Sequence, residues 1–269
     1  MKTDEEIYCH LHDWLLKHIQ SFGPADDTTR RHFDQKYSHS LRVADEIVFI
    51  GRALGLEPRP LLIARAIGLL HDAGRFEQFR RYRTFNDAAS TDHGDLGAAV
   101  VSANGLLAAF AAAEVRLIVQ AIHHHNKLAL PPALSAEALF FLKLVRDADK
   151  LDIYRVIMEN IAAADQALFK VLVPRSDDAT DQIHAALMRG ETVNYRLVKN
   201  PTDRLLMHAG WVFDINFQPT LRAIADRGYL DNIAAALPHT PRVDQILSKA
   251  RRHLAATLAT GSPDRSAPG

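Results

Sequence analysis

Residues 59–72 read RPLLIARAIGLLHD. Ala64, Ile67, Gly68 and His71 recur at three- and four-residue steps, the spacing that puts side chains on one face of a helix. The apolar stripe therefore ends in an imidazole followed at once by a carboxylate, His71-Asp72. An unpaired polar group is costly there, so the pair asks for partners.

Partners of the right chemistry recur outward from this dipeptide. His39 lies 32 residues before His71, His93 lies 21 after Asp72, His125 another 32 on, and Asp149 another 24. Each step is about one helix plus one connection, which predicts an all-α bundle whose successive helices aim one side chain each at a common interior point. The stripe test supports each position. His39 shares a face with Val43, Ile47, Ile50 and Leu54. His93 leads Leu96, Gly97 and Val100, and His125 ends the stripe Val115, Ile118 and Ile122. Asp149 sits among Leu142, Val145, Ile153 and Val156. A buried set of imidazoles and carboxylates is best neutralised by a metal, which makes a metal-centred site the leading reading.

The same test separates neighbours. Asp147 stands roughly 200° around the helix from Asp149, beside Lys143, Lys150 and Tyr154, and is expected on a wetter face. His123 aligns with Arg116 and Gln120. His124, beside Leu117 and Ala121, is a reserve ligand behind His125.

Helical periodicity runs through most of the chain. Helices are expected at 4–21, 38–54, 59–72, 93–104, 112–125, 135–164, 178–190, 202–226, 229–237 and 241–259, with Val193–Val198 left as a strand pair or a loop. Residues 74–92 read as one long polar connection carrying Arg75, Arg80, Arg81 and Arg83. Long loops within compact domains are often functional. The expected organisation is an N-terminal helix over 1–31, a metal-binding domain over 32–165, a C-terminal helical extension over 166–259 and a disordered tail over 260–269. Trp211, Phe213, Phe217 and Tyr229 give that extension a core, or else a lid or dimer face.

Composition narrows the partners. Lys+Arg and Asp+Glu are both 32 among 269 residues. That balance disfavours duplex nucleic acid or a membrane surface as the main partner. Cys9 is the one cysteine, which leaves no disulfide framework and no thiolate metal site. The acidic start, Asp4-Glu5-Glu6, lacks the basic-then-apolar pattern of a signal peptide, and no apolar run reaches the ~20 residues a span needs. A cytoplasmic protein is the expectation, with homodimerisation left open.

His39, LLHDAGR at 69–75 and Ala148-Asp149-Lys150-Leu151-Asp152 resemble the metal-dependent phosphohydrolases of the HD-domain superfamily, over roughly residues 32–165. His93 and His125 resemble the extra histidines of the subgroup that binds two metals. The resemblance implies an HD-domain helical bundle with additional C-terminal helices. It also implies a first metal on His39, His71, Asp72 and Asp149, with Asp72 bridging to a second on His93 and His125. Ligation by nitrogen and oxygen suits Fe, Mn, Co, Ni, Zn or Mg. The implied activity is hydrolysis of a small phosphorylated substrate, a phosphate ester or nucleotide, by a metal-activated hydroxide. Arg75 and Lys150 join Asp72 as candidate catalytic groups, and Arg75, Arg80, Arg81 and Arg83 are candidate phosphate contacts. Asp152 is a candidate for orienting a ligand histidine. A second reading is a di-iron HD-type oxygenase that cleaves a small hydroxylated substrate; a third is a non-catalytic ligand-sensing module. Cyclic-dinucleotide phosphodiesterases of the superfamily carry a His-His pair and a Gly-Tyr-Pro signature. Here the pair falls on His125-Asn126 without that signature, which disfavours cyclic di-GMP.

Overall fold

The computed structural model describes residues 2–23, 26–103, 105–162 and 177–261, and among these it is all-α, with no strand. They fall into two compact units, one ending at Asp149 and the other beginning at Lys150. The boundary expected near residue 165 and the tail from residue 262 lie outside the described residues; Thr260 still belongs to the last helix.

In the first unit α1 spans Asp4–Gln20, α2 Asp27–Ala53, α3 Pro58–Leu70, α4 Ala73–Tyr82, α5 His93–Ser102 and α6 Ala112–His124; α7, Ala136–Ala162, begins here. Local chemistry fixes the ends. Thr3 and Glu6 form a reciprocal capping box at α1, Asp26 accepts from the Thr29 N–H at α2, and Asp92 accepts from the N–H groups of Gly94 and Asp95 at α5; each satisfies amides that a helix start leaves orphaned. Pro58 opens α3, where its missing N–H costs nothing. The core comprises Leu11 and Leu15 of α1, Val43 and Ile47 of α2, Ile67 and Leu70 of α3, Phe76 of α4, Ile118 and Ile122 of α6 and Phe141 and Val145 of α7. Burying each such side chain is worth about 1.5–3 kcal/mol.

Two glycines set the spacing that the site needs. A Cβ on Gly68 would lie 2.9 Å from the Ala44 Cα, so α2 and α3 touch backbone to side and bring His39 alongside His71. A Cβ on Gly74 would lie 2.5 Å from the Gly97 N and from the His93 O, so α4 and α5 meet the same way.

Several sequence expectations need correction. The connection expected over 74–92 is helical through Tyr82, because Ala73, Phe76 and Phe79 form a buried stripe that the intervening arginines mask. It continues as a loop with a single 3-10 turn, Asp87–Ala89. The second helix starts at Asp27, eleven residues ahead of expectation, since Thr29 and Phe33 extend its buried face. The helix expected over 202–226 is broken into Pro201–Ala209 (α9), a 3-10 turn at Gly210–Asp214 and Gln218–Asp226 (α10). Phe217 is extended at the break, and Pro219 can occupy only the first turn of the helix that follows. Val193–Val198 contains a 3-10 turn, Tyr195–Leu197, and no strand.

Within the second unit, Pro241–Thr260 (α12) packs against Asp181–Arg189 (α8), α9, α10 and Tyr229–Ala235 (α11). Phe217 and Tyr229 are buried, Tyr229 stacks on Tyr154 at 5.3 Å, and Trp211 meets Tyr154 edge-on at 5.7 Å. Phe213 packs beside His253. No helix among the described residues is long and apolar enough to cross a membrane.

Candidate metal centre

His71 and Asp72 fill the junction between two helices: His71 caps the C-terminus of α3 and Asp72 stands at the N-cap of α4. Both are almost completely buried. The Asp72 carboxylate separates two groups of nitrogens. Its Oδ2 lies 3.6 Å from the Nε2 of His39 and 3.6 Å from the Nε2 of His71. Its Oδ1 lies 3.5 Å from the Nε2 of His93 and 3.8 Å from the Nε2 of His125. The Nε2 atoms approach to 3.3 Å between His39 and His71 and 3.1 Å between His93 and His125. The Asp149 Oδ1 completes the first group, 3.1 Å from His39 and 3.9 Å from His71. At 23% exposure Asp149 is the most open side chain of the set, so the first group is the one solvent reaches.

Three of the four histidines have their Nδ1 committed elsewhere. His71 donates to the Gly68 carbonyl at 2.8 Å and His125 to the Ile122 carbonyl at 2.7 Å, each three residues back at a helix end. His93 donates to the Asp87 Oδ2 at 2.7 Å. A carbonyl or carboxylate can only accept, so the proton sits on Nδ1 and each Nε2 keeps its lone pair toward the cluster. That is the tautomer a metal ligand needs, and its orientation is fixed before any ion arrives. Burial pulls the His71 and His93 pKa values down to about 4, which keeps both rings neutral at ordinary pH. Burial alone would raise the Asp72 carboxyl; the Lys36 ammonium 2.8 Å away and the nearby Arg75 act against it, and the carboxyl is held well below the usual range. For Asp149, too, burial would raise the pKa, but the hydrogen bond with His39 at 3.1 Å is the largest effect against it and the carboxyl is lowered. The donor set thus includes the neutral imidazoles of His71 and His93 and two ionised carboxylates, and His39, His71 and Asp72, with Asp72, His93 and His125, form two ion-sized groups sharing Asp72. It fits divalent metal.

Asp147 is fully buried, against the expectation of a wet face: Leu144, Val145, Arg146, Asp147 and Ala148 are buried in succession, which exceeds one helical turn and leaves no open side. His123 meets Asp95 at 2.9 Å and His124 stacks on His123, so it is His125 that joins the cluster. Lys150 donates to the Asp214 Oδ2 at 2.6 Å, and Asp152 accepts from Arg155 at 2.9 Å. Arg83 pairs with Asp26 at 2.8 Å, Arg81 pairs with Glu77, and Arg80 is exposed. Arg75 is different. Its Nη1 donates to the Gln78 Oε1, the Phe85 carbonyl and the Asp87 Oδ1 at 2.6–3.0 Å, while its Nε lies 3.5 Å from the Asp72 Oδ1.

Sequence reasoning missed the residues behind the cluster. Asp87 accepts from His93, Arg75, Asn126 and the fully buried Gln78, whose amide also donates to Ser90 and Thr91. Burial would raise its carboxyl, and His93, Arg75 and Gln78 together lower it instead. It also missed Lys36, whose Nζ lies 2.8 Å from the Asp72 Oδ2. The signal for Lys36 was its spacing, one turn before His39; Asp87 had none, since loop contacts do not follow a period.

Residues 37–154 match the protein-family model described as HD domain, a span holding every residue of the cluster. No curated protein and no solved structure matches the chain. That stretch, rather less than half of the chain, is therefore similar to HD domains.

Proposed function

We propose that this protein is a metal-dependent phosphohydrolase acting on a phosphate ester or nucleotide. The observation that carries the reading is the Asp72 carboxylate, with one oxygen turned to His39 and His71 and the other to His93 and His125. A carboxylate so placed can join two cations a few ångströms apart. Divalent metals held there would polarise a phosphoryl oxygen and lower the pKa of a bound water, yielding hydroxide near neutral pH.

The chain's own residues supply the rest. Three imidazoles with fixed tautomers, together with His39 and two ionised carboxylates, offer a largely pre-set donor frame. Asp149, open to solvent at the first group, marks the side from which substrate and water arrive. Arg75 braces Asp87 behind His93 and places positive charge near the Asp72 Oδ1, where it offsets charge developing on a transferring phosphoryl group.

The test is phosphate release from a panel of phosphomonoesters, phosphodiesters and nucleotides by manganese- or cobalt-loaded protein under nitrogen. Turnover by the native chain and none by Asp72→Ala supports the reading. Equal turnover by both proteins contradicts it, and substrate-dependent oxygen uptake by an iron-loaded sample would replace hydrolysis with oxygenase chemistry.

A further inference from the structure

Lys36 lies on α2 one turn before the ligand His39, and His32 lies one turn earlier still. Its ammonium is 2.8 Å from the Asp72 Oδ2, the oxygen that faces His39 and His71. The two ends of this ion pair differ in access: the Asp72 side chain is 3% exposed and that of Lys36 22%. Lys36 therefore stands between the buried carboxylate and solvent, on the first group's side. Phe85 backs it, with its ring centroid 5.5 Å from the ammonium; the His32 ring lies 5.6 Å from that of Phe85. A cation over an aromatic face keeps a favourable contact even when its carboxylate partner is taken away.

A metal held by His39, His71, Asp72 and Asp149 would draw on the oxygen that Lys36 now holds. The ammonium would then lie beside a cation, a position tolerable only if an anion sits with it. Of the arginines first suspected of that contact, Arg75 is engaged by Asp87, Gln78 and Phe85, Arg81 by Glu77 and Arg83 by Asp26, while Arg80 is exposed. Resting on the hydrolase reading above, we propose that Lys36 is the residue that binds the anionic oxygens of the substrate's phosphoryl group at the mouth of the metal centre.

The test is isothermal titration of inorganic phosphate into manganese-loaded wild type, Lys36→Gln and Lys36→Arg, with the manganese content of each measured in parallel. Gln is a good helix former, so α2 should tolerate it. The expected result is wild-type manganese content in both variants and a phosphate Kd raised about tenfold or more in Lys36→Gln, the cost of one charge-assisted contact. Lys36→Arg should keep most of the affinity, because it keeps the charge. Phosphate binding by Lys36→Gln equal to wild type at full manganese content overturns the proposal. So does loss of manganese from Lys36→Gln, which would make Lys36 a prop for Asp72. Wild type that loads manganese but binds no phosphate would instead sink the hydrolase reading, and this inference with it.

Discussion

The Asp87 Oδ2 accepts a 2.7 Å hydrogen bond from the His93 Nδ1, and the other Asp87 oxygen is held by Arg75 and Gln78. The loop after α4 is thereby tied to His93, which opens α5. Outer-shell carboxylates of this kind typically tune metal affinity by about 10–100-fold. Asp87→Ala should weaken the second metal by that factor and leave the first nearly intact. Competition titration with a chromogenic chelator, alongside circular dichroism to verify the fold, gives the check; two unchanged affinities would mean that Asp87 only braces the loop.

Neighbouring histidines should differ sharply. His125→Ala removes a nitrogen 3.1 Å from that of His93 and 3.8 Å from the Asp72 Oδ1, so metal content per chain should fall by about half on the two-metal model. His124→Ala, which loses a stacking contact with His123, should load as wild type does. Metal analysis of the two variants side by side decides which histidine is the ligand; the reverse order would reassign it.

Gly74→Ala tests the close approach of α4 and α5. The added methyl would meet backbone at 2.5 Å on two sides, and backbone cannot move aside as a flexible side chain can. A loss of about 2 kcal/mol or more is expected, with weakened metal binding because Asp72 and His93 flank the contact. Urea denaturation measures the first and chelator competition the second. A stability within experimental error of wild type would mean that the two helices adjust freely.

Much of the cluster is legible in the sequence. His39, His71, His93 and His125 lie on apolar stripes, and burial of a polar residue on such a stripe is what period and composition report best. The rest was hidden for physical reasons. Arg75, Arg80 and Arg81 outweigh Phe76 and Phe79 in any average, so α4 reads as a polar loop although its buried stripe is intact. Asp147 was misplaced because that stretch of α7 is buried all round, and a helix without a wet face gives periodicity nothing to detect. Lys36 and Asp87 act through contacts 36 and six residues away, which arise only once the helices have packed.

The second unit carries its own acid sensitivity. Burial of the His208 ring, packed 4.6 Å from Trp211, pulls its pKa down to about 4 from an ordinary 6.5. The folded state thus resists protonation there while the unfolded chain accepts it. Stability is complete above about pH 6.5, declines as pH falls toward 4, and levels off below that, a loss of roughly 3 kcal/mol if no other group compensates. Thermal melts from pH 7 to pH 4 should show a shallower decline for His208→Gln than for wild type. Parallel curves would remove His208 as the cause.

Metal stoichiometry tests the central claim most directly: that Asp72 joins two metal groups through its two oxygens. Chains saturated with manganese, gel-filtered and analysed by plasma mass spectrometry should hold two ions per wild-type chain and at most one per Asp72→Ala chain. Two ions in both proteins, or none in wild type, would contradict it.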